Sequence, residues 1–92
     1  MFIVVQHRIT DSETAFARGD ALLAARGAPR GTRVLEFYPS RDRASVHCLW
    51  ESESLDELRE YVDDTLGDSS ENAYFEVDAE VARGLPAATA AA

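Results

Sequence analysis

The stretch ASVHCLWESESLDELREYVDD, residues 44–64, decides the fold. Its first part, Ala44 to Glu51, is short, alternating and rich in strand formers, so it reads as a strand. Ser54 and Glu57 then make an S-x-x-E capping box ahead of Leu55, Leu58, Val62 and Leu66, which recur at helical spacing. Gly67 supplies the stop. The strand holds His47 next to the single cysteine, Cys48, and the single tryptophan, Trp50. Successive strand residues point to opposite faces. His47 therefore goes with Leu49, and Cys48 goes with Val46 and Trp50. A Cys–His nucleophile pair from neighbours on opposite faces is excluded, and Cys48 and Trp50 read as packing under helices.

Working outward, FIVVQHRI is rich in β-branched residues and predicts a first strand over Phe2 to Ile9. Thr10, Asp11 and Ser12 are good N-cap residues. Ala15, Phe16, Gly19, Leu22 and Leu23 then fall on one helical stripe, and Gly27 and Pro29 end it. Thr32 to Tyr38 predicts a second strand, joined by the PSRDR link to strand three as a hairpin. DSSEN reads as a loop, AYFEVD as strand four, and AEVARG as a short terminal helix. The domain is set at residues 1–86, with a flexible Ala-rich tail over 87–92.

The resulting order, βαββαβ, is the ferredoxin-like α+β pattern. Right-handed crossovers place strand three beside strand one and strand four on its other side, giving an antiparallel sheet of order 4-1-3-2 with both helices on one face. Strand one is apolar on both alternations, Phe2 and Val4 against Ile3 and Val5. Two apolar faces need two covers. The expected second cover is the same sheet from another chain, which makes a homodimeric barrel.

Composition narrows the function classes. With 92 residues, a lone domain buries only roughly 60–65% of its unfolded surface, so a partner subunit helps. Nine Lys and Arg against 17 Asp and Glu give a net charge of -8, which argues against nucleic acid and against anionic membrane surfaces. A single cysteine rules out an internal disulfide and suggests a reducing cytoplasm. MFIVVQHRIT lacks a basic segment before its apolar run and reads as a strand, not as a leader or a membrane span. Phosphate loops, G-x-G-x-x-G, C-x-x-C, H-E-x-x-H and nucleophile elbows are absent from the sequence.

VVQHRI near the start, HCLWES leading straight into a helix, and YFEVD near the end make the chain resemble the dimeric α+β-barrel proteins. That superfamily includes small antibiotic-biosynthesis monooxygenases, stress-responsive barrel proteins and polyketide cyclases. The resemblance implies a small-molecule-binding dimer and, if catalytic, a cofactor-independent monooxygenase or cyclase acting on an aromatic or polyketide-like substrate. His7 and Cys48-Leu49-Trp50-Glu51 also resemble a family of small nickel-binding barrel proteins of actinobacteria. That family's further histidine in helix two has no counterpart in LREYVDDTL. The alternative it implies is a site for nickel or another divalent transition metal, built from barrel histidines and carboxylates.

With Leu35, Phe37, Phe75 and Val77 placed under the helices, the barrel face is expected to carry His7, Glu36, Tyr38, His47, Tyr74 and Glu76. His7 and His47 are the candidate proton-transfer residues. Glu36, Tyr38, Tyr74 and Glu76 are the candidate ligand-binding residues, the tyrosines through ring and hydroxyl and the carboxylates by orienting or polarising. The register is the sensitive step, because a shift of one residue exchanges the faces of a whole strand. The acidic residues Asp63, Asp64 and Asp68 lack calcium-loop spacing and read as a solvated helix face.

Overall fold

The computed structural model describes residues 1–87. Of the tail expected over 87–92, residues 88–92 lie outside the described residues. The elements run β1 (Phe2–Ile9), α1 (Ser12–Leu23), β2 (Arg33–Pro39), β3 (Ser45–Glu51), α2 (Leu55–Leu66) and β4 (Ser70–Glu76). A 3₁₀ turn, Gly67–Ser69, links α2 to β4. The four strands form one sheet of order β2-β3-β1-β4, which read from its other edge is 4-1-3-2. All three pairings are antiparallel. The result is a small α+β fold consistent with the ferredoxin-like pattern.

Local chemistry explains the element ends. Asp11 caps α1: its Oδ1 accepts from the Thr14 backbone N–H at 3.2 Å, and its Oδ2 accepts from the Thr14 hydroxyl at 2.8 Å. Ser54 caps α2 by accepting from the Glu57 N–H at 3.2 Å. Gly67 stops α2 at a φ of 56°, a backbone region that favours glycine. Arg18 on α1 then donates to the Leu66 carbonyl at 2.9 Å, so a cation from one helix covers the open end of the other.

The core lies between the sheet and the helices. Ile3, Val5, Val46, Cys48 and Trp50 from the sheet meet Leu22, Leu58, Val62 and Leu66 from the helices. Trp50, 1% exposed, is the largest of them and packs edge-on to Tyr61 with ring centroids 6.3 Å apart. Truncating such a side chain to alanine costs about 3–5 kcal/mol.

Beyond shifts of one residue at the ends of β2 and β3, the structure differs from expectation near the C-terminal end. β4 begins at Ser70, inside the stretch predicted as a loop. Its polar residues are used as cross-strand partners, Glu71 opposite Arg8 and Asn72 opposite His7, so the ladder starts before any apolar residue. AEVARG forms a turn closed by Val81 and Ala82 N–H groups on the Asp78 carbonyl, not a helix.

Candidate functional site

Register fixes which residues share a face, and it corrects part of the expected site. In an antiparallel pair, residues directly opposite point the same way. Val5 lies opposite Cys48 and Tyr74, and His7 lies opposite Val46 and Asn72. His7 and Tyr74 are therefore on the helix side, not on the open face. Glu76 shares that side with its partner Ile3, but it lies exposed at the strand end. Phe75, expected under the helices, instead lies opposite Val4 on the open face and is 49% exposed. The physical reason is the helix above: α2 brings Asp63 over β4, which pairs with polar Asn72 and Tyr74 and leaves Phe75 facing out.

Glu36, Tyr38 and His47 sit on the open face as expected, with Tyr38 opposite His47 and Glu36 opposite Leu49. A bulge between Val34 and Glu36 takes up Leu35 and keeps Val34 on the Trp50 side. Gln6 donates its amide N–H to His47 Nε2 at 3.1 Å. The nearby Glu36 charge, followed by partial desolvation and a hydrogen bond to Glu36, raises the Tyr38 phenol above its ordinary value. Glu36, Tyr38 and His47 line an open cleft of about 330 Å³ together with Val4, Leu49 and the returning segment Ala82–Leu85.

The two histidines thus lie on opposite faces of one sheet. The expected metal set of His7, His47 and a carboxylate has its two histidines directed to opposite sides of the sheet. Among the described residues, no group of three or more His, Cys, Asp or Glu side chains is arranged to hold a metal ion.

A different constellation surrounds His7, which is 6% exposed. Its Nδ1 lies 2.6 Å from Asn72 Oδ1. That oxygen also accepts from the Ser70 hydroxyl at 2.6 Å. Asn72 Nδ2 donates to Asp63 Oδ1 at 2.9 Å, and the Tyr74 hydroxyl donates to the same oxygen at 2.6 Å. Burial holds the His7 imidazole below its ordinary value of 6.5, against the smaller opposing effects of Asn72 and Asp63. Burial also raises the Tyr74 phenol, and its hydrogen bond to Asp63 adds to the shift. The two rings are therefore a neutral imidazole and a neutral phenol at pH 7.

His7 also lines an apolar cavity of about 50 Å³ between α1 and the sheet. Val46, Cys48 and Trp50 form its floor, and Ala15, Gly19 and Leu22 its roof. Phe16 and Phe37, in edge-to-face contact at 6.4 Å, also line it. Gly19 leaves the roof open: a Cβ added there would meet no atom within 4 Å. Burial pushes the Cys48 thiol up to about 12, so it is a packing residue and not a nucleophile. The Trp50 indole N–H is buried without a hydrogen-bond partner. It lies near Cys48, whose thiol sulfur is only a weak acceptor.

Asn72, Asp63 and Ser70 were not among the sequence candidates. Asn72 and Ser70 were hidden in a polar run that looks like a loop, and Asp63 in an acidic helix face. No spacing in the sequence links them to His7. No family model, curated protein or solved structure matches this chain.

Proposed function

We propose that the protein binds a small, flat organic molecule in the cavity between α1 and the sheet, with His7 as the proton acceptor. The observation that carries this reading is an apolar cavity lined by both His7 and Trp50, whose indole N–H is buried without a hydrogen-bond partner. A buried donor without a partner costs about 1–3 kcal/mol, and a ligand oxygen that accepts from it recovers that cost. A neutral imidazole in the same wall suits a ligand with an acidic hydroxyl, as in a phenol or an enol. Such a deprotonated ligand is the starting point for the cofactor-independent oxygenation or cyclisation that the superfamily resemblance suggests.

Size limits the ligand. A dry cavity that takes up one benzene ring measures about 150 Å³, about three times the volume here. Binding therefore displaces the side chains at the rim, Phe16, Leu23 and Phe37, of which Leu23 and Phe37 are exposed. A single ring, or one edge of a larger planar molecule, is the fitting class.

The proposal extends to a homodimer formed through the open face of the sheet. Val4, Leu49 and Phe75 form an apolar strip there, next to Tyr38, which is 60% exposed. A second copy of the same face would cover the strip and the cleft that holds His47, Glu36 and Tyr38.

The cavity is tested by titrating phenol and 2-naphthol into labelled protein while following the Trp50 indole N–H resonance. A saturable shift of that resonance is expected, and it should be lost in Gly19→Leu, whose side chain fills the roof. Shifts confined to open-face residues such as Gln6 and His47 would overturn the proposal.

A further inference from the structure

The hydrogen-bond chain behind His7 has one consistent reading. Asp63 on α2 is a carboxylate and accepts only. It takes the Asn72 Nδ2–H at 2.9 Å, so the Asn72 amide is oriented with its nitrogen toward α2. The amide oxygen is then directed back along the sheet, where it meets the Ser70 hydroxyl and His7 Nδ1, each at 2.6 Å. An amide oxygen cannot donate, so Nδ1 carries the proton. A neutral imidazole has one ring proton, so Nε2 carries a lone pair. The Nε2–Cδ2 edge lies across the ring from Nδ1, and Nε2 has no hydrogen-bond partner among the described residues.

We infer that Asp63 and Asn72 are positioning residues that hold His7 in its Nδ1–H tautomer, so that the bare Nε2 is the basic atom offered to the cavity. The inference rests on the reading of the cavity as the ligand site and adds the device that makes His7 an acceptor there. Neither residue touches the cavity, and each acts through the ring. Ser70 and Tyr74 reinforce the arrangement from either end, by holding the amide oxygen and the Asp63 carboxylate.

Without this chain the tautomer would reverse, because a free histidine side chain prefers its proton on Nε2. The Nε2–H form presents a donor to the cavity. In that form Nε2 has no lone pair and could not take a proton from a phenol.

Nitrogen-15 spectra of the His7 ring in the ligand-free protein, above the titration range of the imidazole, test this directly. In the wild type, Nδ1 is expected in the protonated range and Nε2 in the non-protonated range. Asn72→Leu should exchange the two assignments. Asp63→Ala should do so at least in part, because the amide is then free to turn its nitrogen to His7. Asp63→Asn removes the charge but keeps an accepting oxygen, so it should retain the wild-type tautomer. A wild-type ring protonated on Nε2, or an Asn72→Leu ring unchanged from wild type, would overturn the inference. The phenol titration reads the cavity separately: it can fail while the tautomer result stands, and the tautomer result can fail while Trp50 still reports a ligand.

Discussion

His7 shows how a single side chain can be correctly singled out and wrongly placed. It was legible as a histidine late in an apolar strand. Its face was not legible, because β1 is apolar on both alternations and only pairing with Val46 and Asn72 decides the matter. His47 was easier, since Val46, Cys48 and Trp50 claim the helix side and leave His47 outside. The burial of His7 has a measurable consequence. Its imidazole is held below 6.5, so between that value and its lower folded value the unfolded chain binds more protons than the native one. Stability from this group is full above about pH 6.5 and is lost as pH falls through the folded value. Urea unfolding across pH 7 to 5 should show this loss in the wild type and a flatter profile in His7→Leu. An equal slope in both would show that His7 contributes no such linkage.

At the scale of elements, both helices and three of the four strand positions were legible because caps, periodicity and glycine stops agree with one another. α2 is the clearest case, with Ser54 ahead of an apolar stripe and Gly67 behind it. Ser54→Ala should lower stability by about 1 kcal/mol, the usual worth of an N-cap side chain, as measured by chemical denaturation. A change within error would mean that Ser52, whose hydroxyl accepts from the Ser54 N–H, holds the turn by itself. β4 was the least legible element. Its first three residues are polar, and their value lies in pairing, not in burial. The exposed Arg8–Glu71 ion pair contributes little by itself, yet it extends the ladder far enough to place Asn72 against His7. A pattern search for alternating apolar residues has no means of finding such a strand.

For the whole molecule, the sheet order followed from chain connectivity, whereas the composition of the two faces required the register. The open face keeps an apolar strip that runs from Phe75 on the edge strand β4 across Val4 and Leu49 to Glu36 on the opposite edge. Phe75→Glu should convert the proposed dimer to monomer in sedimentation at micromolar concentration, with the circular dichroism spectrum retained because the side chain contributes nothing to the core. A wild-type chain that sediments as a monomer would remove the dimer from the proposal.

The attachment of α1 is lopsided, and this bears on how anything enters beneath it. Along its α2 edge Arg18 is bound to the Leu66 carbonyl and lies 3.5 Å from Asp68. Along its β2 edge it is held by the edge of one ring on another, Phe16 on Phe37, with the Arg43 guanidinium over Phe16 at 5.0 Å. The first edge resists separation through charge on a helix end, and the second through contacts that can slide. The helix is thus mounted like a shutter, pinned on one side and latched by aromatic friction on the other. On the proposed reading, a guest enters beneath the latch.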